Sequence, residues 1–148
     1  MMERFEGKDG RAALLNALRS QFLVEGNSDI AAVLALSIKL REFAPGAVFI
    51  NEGDRGGDLF LILAGQVSVR KHGEEIATYG AGMHVGEIGL LEPFKGRMAS
   101  VVAVDRVIAA QVPEQRFADI ARQHPVLWRR MALELAHRLV KAQDAVCV

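Results

Sequence analysis

From Ile38 to Val112 the chain is cut into short apolar runs that end, one after another, in turn chemistry. Ile38, Leu40 and Phe43 open the series. Pro45-Gly46 precedes Val48-Phe49-Ile50, and a loop from Asn51 to Gly57 carries four glycines and aspartates in Gly53-Asp54 and Gly56-Gly57. Leu59 to Leu63 follows, stopped at Ala64-Gly65. Val67-Ser68-Val69 alternates before His72-Gly73, and Ile76 to Tyr79 precedes Gly80 and Gly82. Ala99 to Val104 and Val107 to Val112 flank Asp105-Arg106, which reads as a tight hairpin. Many short strands at even spacing with glycine turns specify a sandwich or barrel and exclude a parallel α/β sheet.

Helical periods bracket that region. Ala13, Leu14, Leu18 and Phe22 form one stripe, broken at Glu25-Gly26-Asn27. Ser28 or Asn27 caps a second helix through Ile30, Val33 and Leu34. After Pro113, Phe117, Ile120 and Ala121 make a short helix that stops at His124-Pro125. A longer one places Leu127, Met131, Leu135 and Leu139 at steps of four, with Ala132, Ala136 and Val140 widening the stripe. The expected fold is α+β, mainly β: a jelly-roll-like β-barrel flanked by N-terminal helices and two C-terminal helices. The expected division is a helical lead over 1–37, a barrel over 38–113, and C-terminal helices over 114–148.

Composition narrows the function. Eighteen basic residues balance eighteen acidic ones in 148, with no long run of either sign. Nucleic-acid binding through a clustered positive field is therefore not expected, nor is a polybasic membrane anchor. The single cysteine, Cys147, rules out an intrachain disulfide or a cysteine metal cage. No apolar run reaches the ~18 residues needed to cross a bilayer, and MMERFEGKDG lacks the apolar centre of a secretory signal. A cytoplasmic location is expected.

One segment, 84–101, fits neither strand nor surface loop. Glu87 lies among Val85, Ile88, Leu90 and Leu91, where a lone carboxylate is costly unless paired or hydrogen-bonded. Gly86 and Gly89 remove side chains beside it, so backbone approaches closely. Glu87 to Leu91 has room for one helical turn, ended by Pro93 and Gly96, and Arg97 follows directly. An arginine fork suits phosphate oxygens and a carboxylate accepts from sugar hydroxyls. The competing reading is structural: Glu87 and Arg97 pair with each other and tie a loop to the barrel. Met83 is either a pocket wall or core filler.

Gly86-Glu87-Ile88-Gly89-Leu90-Leu91 followed by Arg97-Met98-Ala99-Ser100-Val101 closely resembles the phosphate-binding cassette of cyclic nucleotide-binding domains. Phe43-Ala44-Pro45-Gly46, Glu52-Gly53-Asp54 and Leu59 to Gly65 are similar to that family's barrel signatures, and His124-Pro125 with Leu127 to Leu139 to its following helix. The resemblance spans residues 40 to 140. It implies a ligand, a 3′,5′-cyclic nucleotide, and no cofactor. Arg97 would pair with the cyclic phosphate, Glu87 would accept from the ribose 2′-hydroxyl, and backbone N–H groups of Gly86, Glu87 and Ile88 would complete the cradle. Met98, Ala99 and Val101 would line the pocket, with Met83, Val85 and Gln143 as further pocket or lid candidates. Where many members carry Ser or Thr, this chain has Met98. Where transcription-factor members present hydroxyls to adenine, it offers Ala142 and Gln143. The base is therefore open, pyrimidines included.

The resemblance also implies a homodimer through the C-terminal helix and an output in a fused or separate effector. With no DNA-reading helix after residue 148, the chain is similar to the N-terminal sensors of bacterial effectors that carry a following TIR domain. Those are switched on by cyclic pyrimidine nucleotides to destroy NAD in anti-phage defence. The chain itself is expected to be non-catalytic. Two other classes stand beside this one. One is a degenerate barrel acting as a dimerisation or docking module. The other is a metal-dependent enzyme on a cupin-like barrel, disfavoured because the four histidines (72, 84, 124, 137) show no H-x-H pair and read as surface or loop residues. Trp128, Arg129 and Arg130 are either a packed indole beside two solvated cations or part of a ligand-dependent lid.

Overall fold

The computed structural model describes residues 1–92 and 95–144, with side chains described to residue 142. After a 3-10 turn at Met2–Phe5 come helices α1 (Gly7–Arg19) and α2 (Ser28–Ser37). Strands β1 (Lys39–Phe43), β2 (Val48–Ile50), β3 (Leu59–Ala64), β4 (Val67–Lys71), β5 (Glu74–Tyr79) and β6 (His84–Val85) follow. A five-residue helix α3 (Glu87–Leu91) precedes β7 (Ser100–Ala103) and β8 (Val107–Val112), and α4 (Glu114–Gln123) and α5 (Val126–Asp144) end the described chain. Two four-stranded antiparallel sheets, β1-β8-β3-β6 and β2-β7-β4-β5, face each other as the jelly-roll expected from the sequence.

The LFLILA run of β3 is buried at all six positions because its sheet is covered on both faces. Phe60 and Ile62 point between the sheets, where they meet Phe43, Val67, Val85 and Val101. Leu59, Leu61 and Leu63 point the other way, into a second core with Leu18, Ile30, Phe117 and Leu127 from the helices. The helical lead is therefore packed on the barrel. Its α1–α2 connection is also pinned to α5: Arg130 donates from Nε and Nη2 to the Phe22 carbonyl at 3.1 and 3.0 Å and lies 4.0 Å from the Phe22 ring. Phe22 N–H in turn donates to Gly82 at 2.8 Å. Asn27 caps α2, its Oδ1 accepting from Ile30 N–H at 3.0 Å.

Four local expectations are corrected. The first helix stops at Arg19, short of Phe22, because the chain turns there and Gly26 N–H closes back onto the Arg19 carbonyl at 2.8 Å. The segments around Asp105-Arg106 are no hairpin: β7 pairs with β2 and β4, while β8 pairs with β1 and β3. The connection crosses between sheets, held by Asp105 Oδ1 accepting from Gln66 N–H at 2.8 Å and by Val104 N–H donating to the Gln66 carbonyl at 2.9 Å. His84 lies in a two-residue strand and is wholly buried. On α5, Leu127 and Met131 are buried, but Leu139 is 59% exposed and Val140 56%. Steps of four residues advance about 40° beyond a full turn each time, so the stripe leaves the core-facing side. Glu134 and Arg138, at steps of three and four from Met131, take its place.

The α4–α5 elbow packs through Phe117, which is 1% exposed and meets Trp128 edge-on at 5.2 Å. Phe117→Ala is expected to cost about 3–5 kcal/mol, lowering Tm by roughly 6–20 °C, as checked by scanning calorimetry.

Candidate functional site

A cavity of about 200 Å³ opens between the β2-β7-β4-β5 sheet and the 84–101 segment. The segment's own residues form one side: Val85, Gly86, Glu87, Ile88 and Gly89, then Arg97, Met98 and Ala99. Val69, Tyr79 and Val101 supply the barrel side, and Arg138 closes it from α5. Of the residues singled out from sequence, Met83 does not line this cavity. It precedes β6 in the turn whose carbonyl accepts from Ile62 N–H at 2.9 Å. The Gln143 side chain, and all of Pro93 and Cys147, fall outside the described residues.

Local geometry explains the glycines. Gly86 has φ +95°, and a Cβ there would sit 2.8 Å from the Asp58 carbonyl. At Gly89 a Cβ would come within 2.6 Å of Arg97 Nη1 and 2.5 Å of the Gly56 carbonyl. Both distances are shorter than a side chain tolerates, so α3 lies directly against the arginine. Arg97 is 8% exposed and donates from Nη1 to the Gly86 carbonyl and from Nη2 to the Asp58 carbonyl, both at 2.9 Å. Burial works against its charge, while Asp58, Glu87 and Glu114 favour it. A guanidinium carries five N–H donors, and these two bonds use only part of that capacity. Asp58 also anchors α4, its Oδ1 accepting from Glu114 N–H at 3.1 Å and its Oδ2 from Gln111 at 2.8 Å.

Glu87 and Arg97 do not pair, which overturns the reading of a mutual salt bridge. The partner of Glu87 is Arg138, whose Nη1 donates to Oε1 at 2.5 Å. Arg138 also donates from Nε to Glu134 Oε2 at 2.7 Å and from Nη2 to the His84 carbonyl at 2.7 Å, and its guanidinium lies 4.0 Å from the Tyr79 ring. Burial pushes the Glu87 carboxyl above its ordinary range, and Arg138 draws it partway back. Glu87 Oε2 is buried without a hydrogen-bond partner. An ionised carboxylate oxygen left this way is costly, and a hydroxyl donor would satisfy it.

Arg138, Glu134, Tyr79 and Asp58 were missed from sequence. A signal existed for two of them: Leu127, Met131, Glu134 and Arg138 fall at steps of four, three and four, one continuous helix face. An acidic residue four before an arginine otherwise reads as a solvated surface pair. Asp58 and Tyr79 act through contacts far apart in sequence and leave no local signal. Among the described residues no cluster of three or more metal-ligating side chains occurs, and no helix is long and apolar enough to cross a membrane.

The chain belongs to the cyclic nucleotide-binding domain family, which matches it over residues 40–124. It is 38% identical over 146 residues to the Pycsar effector protein XpPycTIR of Xanthomonas perforans, covering 99% of this chain and 48% of that one. It is 39% identical to the Pycsar effector protein PaPycTIR of Pseudomonas aeruginosa, covering 99% and 47%. The chain thus spans about half the length of these curated relatives. The crystal structure of the Thermus thermophilus catabolite activator protein superposes with a TM-score of 0.74 at 28% identity, over 85% of this chain and 62% of that one.

His84 is the anomaly of the site. Both ring nitrogens are buried without partners, and burial, with Arg138 adding to it, pushes the imidazole down to about 3. The unfolded chain binds a proton near 6.5 that the folded chain refuses, so this stability is present above about 6.5 and lost as pH falls toward 3. The slope reaches about 1.4 kcal/mol per pH unit. Glu87 acts in the opposite sense, since a raised carboxyl loses its contribution as pH rises through its folded value. His84→Phe is therefore expected to raise Tm, by removing two unsatisfied polar atoms worth about 1–3 kcal/mol. It should also flatten the decline of Tm between pH 6.5 and 4, as measured by calorimetry across that range.

Proposed function

We propose that this chain is a non-catalytic sensor that binds a 3′,5′-cyclic nucleotide in the cavity between β4, β5 and the 84–101 segment. One observation carries the reading. Glu87 lines the cavity and keeps a buried oxygen without a donor, on the same wall as Arg97. The ribose 2′-hydroxyl would satisfy that oxygen. The remaining N–H groups of Arg97 and the backbone N–H groups of Gly86, Glu87 and Ile88 would hold the cyclic phosphate. Arg138 joins this set by bridging Glu87 to α5, so ligand contact reaches the C-terminal helix through one guanidinium.

The favoured base is a pyrimidine, as in cyclic UMP or cyclic CMP. Met98, 42% exposed at the cavity, brings no hydroxyl to the base, and the resemblance to TIR-bearing effectors implies a pyrimidine. Transmission runs through α5 to an effector domain, in this reading a TIR domain that degrades NAD in anti-phage defence. Only a difference in affinity between two positions of α5 drives such a shift. Leu133, Leu139 and Val140 stay exposed on α5, which suits a second copy of the chain in a homodimer.

A thermal-shift panel of cyclic AMP, GMP, CMP and UMP tests the binding reading. At ligand a hundredfold above Kd, linkage adds about 2.7 kcal/mol, a rise of roughly 5–11 °C. The rise is expected with a pyrimidine and lost in Arg97→Ala, which removes roughly 2–5 kcal/mol of binding. No rise with any of the four would leave the docking-module reading in its place. Sedimentation of wild type beside Leu139→Glu tests the dimer: a dimer converted to monomer supports it, and a wild-type monomer at high micromolar concentration removes it.

A further inference from the structure

The hydrogen bonds of Arg138 all lie in the plane of its guanidinium. Glu134, Glu87 and the His84 carbonyl take one nitrogen each. Three hydrogen bonds at the rim set the orientation of the plane, but nothing in the plane opposes displacement along its normal; a contact on the flat face does. The Tyr79 ring supplies it, with the Arg138 Cζ 4.0 Å from the ring centroid. Tyr79 is the last residue of β5, which is an edge strand of its sheet, so the contact joins the barrel rim to the helix. It is also half-buried and lines the cavity beside Arg138. Its hydroxyl makes no hydrogen bond among the described residues, which leaves the ring face as its contribution.

The last turns of α5 have few other seats: Leu135 packs against the helical core and His137 meets the Phe22 ring edge-on at 5.9 Å. Leu139 and Val140 point away from the barrel, and Leu135 is half-buried. Farther up the helix, Leu127 and Met131 are packed in the core. Around Arg138 itself the seat is thus polar and ionic, closed on one face by the Tyr79 ring. A cation on an aromatic face is worth more as it is desolvated, and Arg138 is half-buried between two buried carboxylates here.

We infer that Tyr79 is a positioning residue for the cyclic nucleotide site: its ring holds the Arg138 guanidinium in the plane that serves Glu87, and thereby seats the end of α5 over the cavity. The inference rests on the cyclic nucleotide reading for its ligand and on geometry alone for its effect on the helix. The ring face, and not the hydroxyl, performs this role.

Two measurements test it. Isothermal titration uses whichever of cyclic AMP, GMP, CMP or UMP binds wild type most tightly, against Tyr79→Phe, Tyr79→Leu, Arg138→Met and Tyr79→Leu/Arg138→Met. Tyr79→Phe is expected within threefold of wild type. Tyr79→Leu, similar in apolar bulk but without a ring, is expected to bind at least tenfold more weakly. The double variant should bind no more weakly than Arg138→Met, because the ring acts through that arginine. Wild-type affinity in Tyr79→Leu, or losses that multiply in the double variant, would overturn the inference. Tyr79→Val, suited to a strand position, repeats the comparison should the leucine variant fail to fold. Amide exchange over residues 134–142 in the ligand-free protein separates this inference from the ligand reading. Faster exchange in Tyr79→Leu but not in Tyr79→Phe supports it even where no nucleotide binds. Unchanged exchange in Tyr79→Leu sinks it while leaving nucleotide binding intact.

Discussion

A half-buried guanidinium between two buried carboxylates organises this molecule. Arg138 lies between Glu87 of the short helix and Glu134 of its own, so one positive charge meets two negative ones away from bulk water. Such a cluster is costly to assemble and more costly to leave incomplete. Removing Arg138 would strand Glu87 and Glu134 together; removing either acid would leave the other to carry the pair. The position of α5 and the state of Glu87 are thus set by the same contact.

Around that cluster the fold divides its work. The apolar cores are conventional and fix the barrel to the helical layer through both faces of β3. The functional segment adds other materials, glycines, carbonyls and charges, to the buried Val85, Leu90 and Val101 that tie it to the two cores. Arg97 donates to carbonyls from two separate stretches of backbone, so its guanidinium belongs to the architecture as much as to the ligand. Asp58 extends this by offering its carbonyl to Arg97 and its carboxylate to the start of α4.

The parts legible in the sequence were the local ones. Strand runs, turn glycines and the Asn27 cap act over a few residues, and so does the 86–101 stretch, where a carboxylate among apolar neighbours announces a special environment. Sheet membership was less legible. Val104 to Arg106 has the chemistry of a hairpin turn, and only long-range pairing sends its two strands to different sheets. Arg138 was hidden for a related reason. Its partner Glu87 lies in another element, and Glu134 four residues before it looks like an ordinary surface pair. His84 misled in the other direction, because a polar side chain in a glycine-rich stretch reads as exposed while β6 buries it completely.

The elbow between the last two helices has a consequence of another kind. Trp128 is the single tryptophan in 148 residues, and it stands edge-on to Phe117 across the α4–α5 junction while remaining 38% exposed. An indole placed half in solvent at a helix junction changes its emission when the angle of that junction changes. The chain therefore carries its own optical gauge of helix position, at the one place where the core-anchored half of α5 begins.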